Sequence, residues 1–147
     1  MPEPILRCAD RLPAEPGTIE TVHDHLEDLW AAADHVPVLD RMAFDTAVIE
    51  TVSNTIRHGV GDPGPVELGM EFAASPAELR ATIIEFGAAS AALGSQQVTV
   101  PLEDVMADAL AESGRGLALI RALVSLDFER AGTTNVWRLY RPTNLTE

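Results

Sequence analysis

The chain predicts an α+β fold, a two-layer sandwich with helices on one face of a mixed, mostly antiparallel sheet. Three observations carry that expectation. Two long stretches in the first half, 17–35 and 42–59, repeat their apolar residues with the helical period. Two stretches that follow, 65–73 and 78–86, alternate apolar and polar residues, as a strand with one buried face does. Two more strand-like stretches, 126–130 and 135–141, close the chain after a further helical segment.

In chain order, 3–12 (EPILRCADRL) reads as a short, irregular first strand ended by Pro13 and Pro16. In the helix at 17–35, Ile19, Val22, Leu26, Leu29, Trp30 and Ala33 form the apolar face, and Glu20, Asp24, Glu27 and Asp28 the acidic one. His23 and His25 point about 200° apart on such a helix, so solvated histidines are favoured over a metal pair. Pro37 separates this helix from the next, MAFDTAVIETVSNTIRHG, whose Phe44, Val48, Ile49, Val52 and Ile56 share one side. Gly59 stops that helix, and 60–64 (VGDPG) make a turn. The two strands after it meet in a hairpin at Ser75-Pro76.

The stretch 87–113 is rich in Ala, Gly, Ser and Gln and has little period before 102–110, which reads as a short helix. A connection of this length suggests a lid or a mobile segment. Gly114-Arg115-Gly116 then opens a helix at 117–125 that is apolar nearly all round, so burial on all sides is expected. Gly132-Thr133-Thr134 turns the chain between the last two strands.

Size and composition fit one domain over 1–147, with 46% hydrophobic and 22% charged residues. No apolar run is long enough to span a membrane, the first ten residues do not read as an export signal, and Cys8 has no second cysteine to pair with. A cytoplasmic protein is the simplest expectation. The net charge is −13, with ten arginines and no lysine. Such a balance speaks against a nucleic-acid partner and suits solubility or docking on a basic surface. The lack of lysine also removes P-loop and lysine-dependent kinase mechanisms.

Glu50, Asn54 and His58 follow one another at i, i+4 and i+8 on the second helix, about 6 Å apart along its axis. Alone, this stripe describes a solvated helix face better than it describes a site. The Gly-x-Gly at 114–116 is no dinucleotide fingerprint, because Leu119 stands where the third glycine belongs and no βαβ unit surrounds it.

Taken together, Glu50-x₃-Asn54, Glu85-Phe86-Gly87 at a strand end, Gly114-Arg115-Gly116-Leu117 opening a late helix and Gly132-Thr133 between the last strands form an ordered set. The set resembles the ATP-binding fold shared by gyrase, histidine kinases and MutL. Within that superfamily it most resembles the small stand-alone anti-sigma factor serine kinases of bacterial partner-switching systems, over nearly the whole chain. The resemblance implies ATP and Mg²⁺ as cofactors, with a sigma factor and an anti-anti-sigma protein as partners. A homodimer, as relatives often form, would meet through the first strand and first helix.

The resemblance also implies roles for single residues. Asn54 would be the Mg²⁺ ligand through its side-chain oxygen, a hard donor. Glu50 would be the general base for a serine hydroxyl. Gly114, Gly116 and Leu117 would bring backbone N–H groups and a helix N-terminus to the phosphates, with Arg115 as a bidentate cation. Glu85, with Gly87 behind it and Thr133 as a polar neighbour, would accept a hydrogen bond from the adenine amino group. Two positions depart from the family's Asp-x-Gly-x-Gly: Glu85 is a methylene longer than aspartate, and Ala89 replaces the second glycine. They motivate a second reading, a module that kept the fold and binds a partner without kinase activity. A detached histidine-kinase catalytic domain ranks third, because no phospho-accepting helical hairpin is present and the first helix is too short to supply one.

Overall fold

The computed structural model describes residues 5–58, 64–88, 98–99 and 116–143. Among the described residues six strands build the sheet: β1 (Ile5–Pro13), β2 (Glu67–Ala74), β3 (Glu78–Phe86), β4 (Val98–Thr99), β5 (Ser125–Ala131) and β6 (Thr134–Pro142). Their order is β1-β2-β3-β6-β5-β4, and every pairing among the described residues is antiparallel. Among the described residues three helices, α1 (Thr18–Ala32), α2 (Val38–His58) and α3 (Gly116–Leu123), complete the α+β sandwich. Among the described residues no helix is long and apolar enough to cross a membrane.

The alternation read from the sequence sets the faces of the sheet. Leu68, Met70 and Phe72 of β2 and Leu79, Ala81, Ile83 and Glu85 of β3 are buried toward the helices. Phe128 and Arg130 of β5 and Asn135, Trp137 and Leu139 of β6 are buried with them. On α1 the periodic residues Val22, Leu26, Leu29 and Trp30 are buried, as is Ala33 just past its end, with Ile19 at the margin. The Trp30 ring meets the Phe44 ring edge-on at 5.9 Å, and its Nε1 donates to Asp45 Oδ1 at 2.8 Å, which ties α1 to α2. Burial pushes the Asp45 carboxyl above its usual value of 3.8, against the pull of the Trp30 hydrogen bond.

Several sequence expectations are corrected. Helix α2 begins at Val38, a turn earlier than Met42. Its first apolar residues, Val38 and Leu39, are 61% and 78% exposed and so stand apart from the buried period. Helix α1 ends at Ala32, where Ala33 N–H donates to Leu29 O at 2.8 Å, instead of continuing to His35. Helix α3 is not buried all round: Ile120 and nearby Val124 are buried while Leu119, Arg121 and Ala122 face out. Within the stretch expected as a lid, Gly87, Ala88 and the two-residue strand β4 are described. The rest of it, with the short helix expected at 102–110, lies outside the described residues.

One side chain fixes how the helices lie on the sheet. Arg141, near the end of β6, donates from Nε to Asp40 Oδ1 at 2.9 Å and from Nη1 to Leu123 O at 2.7 Å. Asp40 is in the first turn of α2 and Leu123 is the last residue of α3. Since α2 and α3 pack along each other, they run antiparallel: α2 starts at the Arg141 end and α3 finishes there. Asn54 is about 21 Å along α2 from Asp40, and Gly116 about 10 Å back along α3 from Leu123. Leu79 pairs with Arg141, and Glu85 is about 20 Å further along β3. Asn54, the start of α3 and Glu85 therefore all lie toward the end of the sandwich opposite Arg141.

Candidate nucleotide site

At that end the C-terminus of β3 carries Glu85 on the inward face of the sheet. The side chain is 4% exposed, on the helix side with Ile83 and Ala81. Its Oε1 accepts two hydrogen bonds, from Trp137 Nε1 at 2.9 Å and Asn135 Nδ2 at 3.2 Å. Asn135 Oδ1 in turn accepts from Arg130 Nη1 at 2.8 Å, and Arg130 Nη2 donates to Ala88 O at 3.1 Å. Burial pushes the Glu85 carboxyl above the usual glutamate value of 4.5, against the pull of the Trp137 and Asn135 hydrogen bonds and the Arg130 charge.

Gly87 follows at φ +76°, a left-handed conformation in which a side chain is strained. Ala88 N–H then donates to Thr133 O at 2.9 Å. With Arg130 on its carbonyl, the Ala88 peptide is held on both sides by the β5–β6 hairpin as the chain leaves β3. Thr133 meets the site through its backbone; its side chain is exposed in the turn. Glu85, Gly87 and Thr133 are thus brought together.

The second helix supplies the other group. Asn54 is 3% exposed, so the polar stripe on α2 is not a solvated face at this position; Glu50, a turn earlier, is half-buried. Asn54 Oδ1 accepts from Arg57 Nη1 at 3.3 Å, and Asn54 Nδ2 is buried without a hydrogen-bond partner among the described residues. An orphaned buried amide costs about 1–3 kcal/mol, which a polar ligand can relieve. Helix α3 begins at Gly116, with Leu117 in its first turn and its leading N–H groups toward this end of the sandwich. Gly114, Arg115, Ala89 and the side chain of His58 lie outside the described residues.

The residues fit a bound nucleotide in kind. A carboxylate ends a buried strand beside a left-handed glycine, an unpartnered amide stands on the facing helix, and a helix N-terminus points the same way. Asn54 Oδ1 keeps a second lone pair for a cation beside the one that Arg57 uses. Sequence reasoning missed Arg130, Asn135 and Trp137. Their signal was present in the period-two pattern, which puts Arg130 beneath Phe128 and Asn135 beneath Trp137 on inward positions where apolar residues are the rule.

No curated protein matches the chain. The model of the histidine kinase-like ATPase domain matches residues 12–139, from within β1 to within β6, and so spans every element that positions these groups. The chain belongs to the histidine kinase-like ATPase domain family.

Proposed function

We propose that the chain binds ATP with Mg²⁺ and acts as a serine kinase of the anti-sigma type. In this reading it holds a sigma factor and phosphorylates a serine on a small anti-anti-sigma partner. The observation that carries it is the buried Glu85 carboxyl beside left-handed Gly87, at the same end of the sandwich as Asn54 and the start of α3. Glu85 accepts from the exocyclic amine of adenine, and the N-terminal N–H groups of α3, with Gly114 and Arg115 before them, meet phosphate oxygens. Asn54 offers its oxygen to Mg²⁺, which when bound neutralises charge developing on those oxygens. Glu50 takes the proton from the partner's serine hydroxyl as its oxygen bonds to the γ-phosphorus and the bond to ADP breaks. The outer strand β1, with Leu6 exposed, is the candidate face for a second copy.

The test is phosphate transfer from labelled ATP to purified anti-anti-sigma proteins, with Glu50→Gln beside the natural chain. Transfer that falls by two orders of magnitude or more in the variant, as expected for loss of a general base, supports the kinase. ATP binding without transfer to any such partner removes it.

A second reading, a binding module without kinase activity, is favoured by the filled state of Glu85 Oε1 and the Arg57 bond to Asn54 Oδ1. It predicts that Asn54→Ala leaves partner affinity unchanged. A large loss of partner affinity counts against it.

A further inference from the structure

Arg130, Asn135 and Trp137 form a chain of buried polar groups behind Glu85, and nothing in the proposed chemistry uses them. Arg130 is only 1% exposed, an unusual place for a guanidinium, which is rarely fully buried without partners. Its partners include Asn135 Oδ1 and Ala88 O, and Asn135 donates an amide N–H to Glu85. Asn135 is held in one orientation, because Arg130 can only donate and Glu85, when ionised, can only accept. The Trp137 indole is fixed in turn against the Phe128 ring, whose centroid is 4.3 Å away.

The consequence falls on the carboxylate. A carboxylate oxygen has two lone-pair sites, and both on Oε1 are taken by Trp137 and Asn135. A further donor must use Oε2. We infer that Trp137 and the Arg130–Asn135 couple are positioning residues that hold Glu85 Oε1 and present Oε2 to the base. They thereby select a nucleotide whose base offers an exocyclic amine over one that offers a carbonyl. The longer reach of glutamate makes this support necessary: one more rotatable bond would let the carboxylate swing, and two donors on one oxygen stop it. This inference rests on the nucleotide reading above.

The test compares affinities for ATP and inosine triphosphate, which differ at the base by a 6-amino against a 6-oxo group. Both are measured with Mg²⁺ on the natural protein, Trp137→Phe and Asn135→Asp, with unfolding midpoints recorded alongside. Trp137→Phe removes the N–H and keeps a ring against Phe128. Asn135→Asp keeps an acceptor for Arg130 and removes the donor to Glu85, so it decides the matter should the first variant not fold. The natural protein is expected to prefer ATP, and each variant to lose about tenfold in ATP affinity, the scale on which groups behind a binding residue act. Inosine triphosphate affinity is expected to change little, so that the preference collapses. Lower midpoints with an unchanged ATP preference in both variants overturn the inference and leave the ATP site standing. A natural protein that binds neither nucleotide overturns the site and the inference together.

Discussion

At Glu85 two opposing effects meet in one side chain, burial against hydrogen bonding, and burial wins. The folded carboxyl therefore keeps its proton to a higher pH than the unfolded chain does. As pH rises from about 4.5 through the folded value, the unfolded state releases its proton first, and stability is lost across that window. Glu85→Gln keeps an oxygen for Trp137 and Asn135 and cannot titrate. Urea unfolding between pH 4 and 8 should show the variant gaining on the natural protein as pH rises, then a constant difference. A difference that grows in the opposite direction would mean that Arg130 and the two donors outweigh burial. Gly87 gives a second residue-scale expectation. A Cβ there has room, its nearest neighbour being Pro65 O at 3.8 Å, so Gly87→Ala reads the strain of φ +76° alone. About 1–2 kcal/mol is expected, a drop in midpoint of roughly 2–8 °C for a domain of this size. An unchanged midpoint would show that the turn relaxes. The sequence marked Glu85 and Gly87 through a motif, but it could not show that Glu85 was already bonded. That fact depends on β6 placing Asn135 opposite Glu85 and Trp137 opposite Ile83 two residues back, a matter of register.

Among the elements, the antiparallel pair α2 and α3 is set by Arg141, which joins Asp40 to the carbonyl of Leu123, the last residue of α3. The Asp40 side chain is 8% exposed, so it depends on that cation. Arg141→Met should destabilise by about 2 kcal/mol, short of the 3–5 expected for a fully buried pair because Arg141 itself is partly exposed. Asp40→Asn in the same chain should restore part of the loss. Hydrogen exchange offers the sharper measurement: the Val124 amide, bonded to Ile120 O at 2.9 Å, should exchange faster in Arg141→Met, and unchanged protection would remove the clamp from the account. Much at this scale was legible beforehand. The period of α1 and the alternation of β2 and β3 gave the buried faces correctly, because each element buries one side against a single layer. The misread elements break that condition. The first turn of α2 leaves Val38 and Leu39 in the open, α3 exposes Leu119 although its sequence is apolar, and β4 is too short to show a period.

For the molecule as a whole, the family, the fold and the clustering of Glu85, Asn54 and the start of α3 at one end of the sandwich point to a nucleotide site. Its net charge of −13 opposes a triphosphate, so local donors must outweigh the average field, and Mg²⁺ should matter strongly. The resemblance named ATP, Mg²⁺ and the site residues from motifs spread over the sequence, while the shared end of the sandwich became visible only through the Arg141 clamp. Thermal unfolding of the natural protein and Asn54→Ala, each with and without Mg-ATP, tests the central claim most directly. Ligand at about 100 times its dissociation constant stabilises by about 2.7 kcal/mol, which corresponds to roughly 5–10 °C here. The account predicts a Mg²⁺-dependent rise of that size in the natural protein that is lost in Asn54→Ala; no rise in the natural protein would contradict it.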